Sequence, residues 1–178
     1  MLEVFRCATR GAAALATAGY LCAAAAVAGG ASPADNLVAD PDFANGLGRW
    51  SAHIYNATTD SVDGRTAART GDNGYVGQDV GVVTGGRYIF SVLVWADPSG
   101  GSVLAIALDG PNGIPYVSQQ VGSSTPTVVS GTFTATSPTL YVACQSTGGA
   151  GGWCTDFSVV PATGPATNTG SASSGSAH

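Results

Sequence analysis

From residue 36 onward, apolar positions recur at two-residue spacing in short runs, and no stretch sustains the 3.6-residue period of an amphipathic helix. The runs are rich in Val, Ile, Thr, Tyr and Phe. Clusters of Gly, Pro, Asn and Asp separate them, as expected for successive strands and tight turns. The segment "RYIFSVLVWA", residues 87–96, is apolar on both faces and predicts a central strand covered on both sides. Strands are expected before it at "NLV" (36–38), 50–55 and 75–80, and after it at 102–108, 114–121, 126–135, 139–144 and 153–160. The turns "DPSGG", "DGPNG" and "STGGAGG" join several of them. About nine strands and no helix predict an all-β fold, a two-sheet antiparallel β-sandwich.

Two segments fall outside the pattern. Residues 1–34 carry Arg6 and Arg10, then the apolar run "GAAALATAGYLCAAAAVA" and small residues at Ala31 and Ala34, which reads as a secretory signal peptide. An uncleaved membrane anchor is the alternative, because the run approaches the ~20 residues that span a bilayer. Lipidation at Cys22 is disfavoured by the bulky Tyr20 and Leu21 that precede it. Residues 162–178 form a Pro/Ala/Ser/Gly-rich tail, which lacks large apolar residues and is expected to be disordered. The span 35–161 is then one domain, with its product secreted or associated with the cell envelope.

Charge narrows the function. From residue 35 on, the only cations besides the two histidines are Arg49, Arg65, Arg69 and Arg87, set against ten aspartates, with neither Lys nor Glu. Four scattered arginines cannot neutralise a run of phosphates, which excludes nucleic acid and anionic lipid as partners. Cys144 and Cys154 are the two cysteines outside the leader. In an oxidising compartment they are expected to form one disulfide, with a pair of free thiols as the alternative. Catalytic signatures are sparse. Most aspartates sit in turn sequences, no Gly-x-Ser-x-Gly elbow is present, and His53 is the only histidine outside the tail. The chain is therefore expected not to be an enzyme.

The order "NLVADPDFANGLGRW … GYVGQDVGVVTGGRYIFSVLVWA … VVSGTFTATSPTLYVAC … GGWCTDFSVV" resembles the galactose-binding-like jelly rolls. Among these it is most similar to the carbohydrate-binding modules of bacterial cellulases and xylanases (families four, nine and twenty-two). Asn36, Leu37, Phe43, Gly46 and Trp50 match the opening of that pattern. Gln78, Val80, Gly86, Tyr88, Phe90 and Ser91 match its middle, and Asp156, Ser158 and Val159 its end. The resemblance implies that Phe43 and Trp50 enter the core and that the first segment lies beside the last strand. It also implies a structural calcium, with Asp40, Asp42 and Asp156 as candidate ligands, although Ala44 stands where the family has an acid.

The same resemblance implies a non-catalytic module that binds a polysaccharide or oligosaccharide in a shallow groove on one sheet face. Its candidate contacts are Tyr75 and Gln78, Tyr116 with Gln119, Gln145, and Trp153. Aromatic rings stack on the apolar faces of pyranoses while planar amides bond their hydroxyls. Two other readings of the fold are an exported envelope domain that contacts a protein and, less well supported, a small glycan-acting hydrolase.

Overall fold

The computed structural model describes residues 36–110 and 112–162. The leader and the tail beyond Ala162 lie outside the described residues. Among the described residues, eight strands follow a 3-10 turn at Gly48–Trp50: β1 (His53–Val62), β2 (Arg65–Gly81), β3 (Arg87–Ala96), β4 (Gly101–Asp109), β5 (Pro115–Val121), β6 (Thr127–Thr134), β7 (Thr139–Gly149) and β8 (Gly152–Pro161). The ladder runs β5-β4-β7-β2-β8-β3-β6, with β1 on β2, and every pairing is antiparallel.

The long strand β2 makes two layers out of this one ladder. Its C-terminal part, Tyr75–Gly81, pairs with β7, while Ala68–Thr70 pairs with β8. β1 follows it, with Tyr55 opposite Tyr75 but Ala57 opposite Thr70. Residues 71–74 therefore face the lone Asn56, and this large bulge re-aims both strands between layers. Asn56 and Asn73 adopt positive φ here, and the Asn56 amide donates to the Asp72 carbonyl at 2.8 Å. We call β5-β4-β7 with the ends of β2 and β1 the front sheet, and β6-β3-β8 with the remainder of β2 and β1 the back sheet.

The core lies between them. Val76, Val80, Val103, Ala105, Leu140 and Val142 of the front sheet pack with Phe90, Val92, Val94, Val129, Phe157 and Val159 of the back sheet. Alternation explains this choice, since every second residue of each strand faces inward. The Cys144–Cys154 disulfide crosses the core. Its cysteines are fully buried and lie on opposite sheets, on β7 and β8, which are not hydrogen-bonded to each other.

The opening segment behaves as expected in one respect and not in another. Phe43 and Trp50 are buried with ring centroids 4.8 Å apart, and Trp50 meets Phe157 at 4.8 Å. Residues 36–38 add no ladder strand, contrary to expectation. Instead the Leu37 amide donates to the Val159 carbonyl, and Asn36 clamps the end of β8. The Asn36 side chain accepts from the Val159 amide at 3.0 Å and donates to the Phe157 carbonyl at 2.8 Å. The hairpin over residues 56–74 was also not foreseen as strand. Its turn is Asp63–Gly64, both at positive φ, the geometry of a two-residue hairpin loop.

Candidate functional site

Register turns the outward face of the front sheet into rows that cross the strands. In the first row Tyr55 lies opposite Tyr75, Tyr75 opposite Gln145, Gln145 opposite Leu104, and Leu104 opposite Gln120. The second row is His53, Gly77, Ala143, Ile106 and Ser118, and the third is Asp79, Tyr141, Leu108 and Pro115. The middle row is low at Ala143, whose side chain is a single methyl group. The result is a shallow depression of ≈250 Å³ lined by Tyr75, Gln145, Ala143, Ile106, Tyr141 and Leu108.

One half of this face is packed with rings. The Tyr141 ring lies across Gly77, where an added Cβ would come within 2.6 Å of the Tyr141 Cε2. His53 meets Tyr141 edge to face at 5.1 Å, and its Nε2 lies 2.9 Å from the Asp79 carboxylate. Tyr75 stacks on the exposed Tyr55 at 6.0 Å. Burial pushes the Tyr141 phenol up to about 12, with the nearby Tyr75 and Asp79 adding to the effect. The other half is aliphatic, formed by Leu104, Ile106 and Leu108 of β4. Rings and aliphatic carbons can cover the C–H face of a pyranose, and the Gln145 and Gln120 amides offer both donors and acceptors. These three rows contain no arginine, and Asp79 is their one carboxylate.

The structure brings together two of the six residues expected to bind ligand, Tyr75 and Gln145. Gln78 is buried on the inner side of β2, where it accepts from the Ala39 amide at 2.8 Å and donates to the Ala39 and Arg49 carbonyls. Its role is to fasten the opening loop. Tyr116 stacks on Phe133 at 4.6 Å across the open edge between β5 and β6, and its hydroxyl accepts from the Thr136 amide. Gln119 lies opposite the buried Ala105 and so leaves β5 on the inner side, whereas Gln120 shares the groove row.

Trp153 belongs to the back sheet. It is flanked in register by Trp95, stacked at 6.0 Å, and by Arg69, whose guanidinium lies 5.4 Å from its ring centre. The indole N–H donates to Asp60. Arg69 in turn pairs with Asp97, which the Ser99 hydroxyl and amide and then Arg69 hold below the usual carboxylate range. With partners on both sides of its ring, Trp153 is a packing element. The residues missed from sequence are Tyr141, Ile106 and Leu108. Only Tyr141 carried a usable signal, being four residues from Gln145 on one strand and so on the same face.

The three candidate calcium ligands are not gathered. Asp156 pairs with Arg65 at 2.8 Å, Asp40 accepts from the Asn45 amide and side chain, and Asp42 accepts from the Ala44 amide. Among the described residues no group of three acidic, His or Cys side chains could hold a metal ion. These carboxylates do not fit a hard cation that takes six to eight oxygens.

No protein-family model and no curated protein matches the chain. Solved structures do. A family 4 carbohydrate-binding module is 16% identical, with 70% of this chain and 99% of that one covered and a TM-score of 0.53. A family 61 module in complex with β-1,4-galactotriose is 14% identical over 71% and 98% of the two chains, with a TM-score of 0.51. A xylan-binding domain of family 22 is 14% identical over 73% and 97%, also at 0.51. The chain has the β-sandwich fold of carbohydrate-binding modules.

Proposed function

We propose that this domain is an exported, non-catalytic module that binds a neutral oligosaccharide or polysaccharide in the groove of its front sheet. The observation that carries the reading is the convergence of Tyr75, Tyr141 and Gln145 with Ile106 and Leu108 on one open depression. Rings and aliphatic carbons line it beside an amide, the combination that grips a sugar ring. The neighbours of like fold that hold β-1,4-galactotriose or are described as xylan-binding lend support. The absence of arginine from the rows argues for an uncharged ligand. Glycoside hydrolysis needs a pair of carboxylates, and Asp79 stands alone in these rows, already beside His53. Export rests on the leader sequence, and among the described residues no helix is long and apolar enough to cross a membrane.

Affinity electrophoresis on xylan, β-1,4-galactan and soluble β-glucans tests the proposal. Retardation by at least one of these glycans, lost in Tyr75→Ala and Gln145→Ala but kept in Trp153→Phe, is the expected result. No retardation on the whole panel overturns it. A protein-contact role is the second reading. It is favoured by the back sheet's outer face, where Val128 is 63% and Ile89 41% exposed. Recovery of one stoichiometric protein partner from culture medium, abolished by Val128→Asp, would support it.

A further inference from the structure

The groove is closed at one end. Followed along its middle row from β5, it passes Ser118, Ile106 and Ala143 and then meets the Tyr141 ring lying over Gly77. Behind that ring stands His53, the row's last member, edge-on at 5.1 Å and held by Asp79. On the flank, Tyr75 is backed by Tyr55. Tyr55 and His53 stand on β1 and Tyr75 on β2, with the Tyr141 ring reaching over Gly77 from β7, and the depression ends at Tyr75 and Tyr141, with neither His53 nor Gly77 among its lining. At the other end the row runs out over edge strand β5, where Ser118 is small and exposed.

We infer that the groove receives the end of a glycan chain, with the terminal sugar against Tyr75 and Tyr141 and the rest of the chain leaving over Ser118. The inference rests on the saccharide reading above. A cleft open at both ends accepts any stretch of a polymer, because the chain can continue past either rim. Here a chain continuing toward β1 would have to displace Tyr141, which is only 8% exposed and packed between Gly77 and His53. Displacing a ring packed this way gives up its contacts, so an interior segment is rejected sterically while a terminus fits. Tyr141 is thereby a specificity-determining residue, and His53 and Gly77 are positioning residues, one backing the ring and the other leaving it room.

The test is calorimetric titration with length-fractionated xylan, β-1,4-galactan and cello-oligosaccharides. The expected result is one site per chain whatever the length, so that sites per gram of glycan fall as the chains grow. In Tyr141→Ala the number of sites per chain should rise with length, and His53→Ala, which leaves β7 untouched, should shift the same way if less far. Circular dichroism and thermal melting establish that both variants are folded. Sites per chain that already grow with length in the unaltered protein overturn chain-end recognition and leave the saccharide reading standing. No binding to any fraction overturns both.

Discussion

Tyr75 and Gln78 lie three residues apart on β2 and point to opposite faces of the front sheet. Tyr75 stacks on Tyr55 beside the groove, while Gln78 is buried with three hydrogen bonds to the backbone of Ala39 and Arg49. An odd spacing on a stretch of strand without a bulge separates faces in this way.

The pair should therefore dissociate in mutagenesis. Gln78→Ala removes three part-buried hydrogen bonds to the Ala39 amide and the Ala39 and Arg49 carbonyls and is expected to cost about 1–2 kcal/mol of stability, measured by urea denaturation, with glycan affinity in the folded protein unchanged. Tyr75→Ala should do the reverse, with stability within about 1 kcal/mol and affinity lowered at least tenfold.

The disulfide joins the two sheets through the core rather than tying off a surface loop. Its loop of about ten residues limits the entropic gain to ~2–3 kcal/mol. Unfolding free energies extrapolated from urea denaturation with and without reductant should differ by that amount, and Cys144→Ala/Cys154→Ala should match the reduced protein.

Tyr141 gives an alkaline signature. Its phenol is raised to about 12 in the folded state, against an ordinary value near 10. Below pH 10 both states keep the proton. Between pH 10 and 12 the unfolded chain releases it while the folded chain holds it, so stability falls as pH rises through that window. Urea unfolding followed from pH 9 to 12 should show the loss, and Tyr141→Phe should remove that part of it. Asp79→Asn should lower the Tyr141 phenol toward its usual value, as read by ultraviolet titration.

Calcium should be dispensable to this domain. With Asp156 engaged by Arg65 and Asp40 by Asn45, chelation is expected to leave the melting temperature within a degree or so. A fall of several degrees with EGTA, restored by calcium, would show that main-chain oxygens complete a site these side chains do not.

Sequence patterning carried the layers and most strands because alternation and turn residues are local properties. The hairpin over residues 56–74 escaped because "ATTDSVDGRTAARTG" alternates without large apolar residues, although its Asp-Gly turn was in plain view. The site was half legible. Tyr75 and Gln145 are adjacent only through the β2–β7 register, and nothing local states a register. Gln78 and Trp153 were misplaced for a related reason. A family pattern transfers positions along a chain, while the face a side chain takes depends on parity and on bulges such as the slip opposite Ser91–Leu93. Gly77 acquires meaning only when the Tyr141 ring is seen lying over it.

Asn36 clamps Phe157 and Val159, so the polypeptide enters the sandwich beside the point where it leaves. A body attached in this way hangs like a pendant, and a host protein could accept it in a surface loop with little strain. By the same reasoning a short bridge across Asn36 and Pro161, with new ends cut at the exposed Asp63–Gly64 bend, should give a circular permutant that still folds.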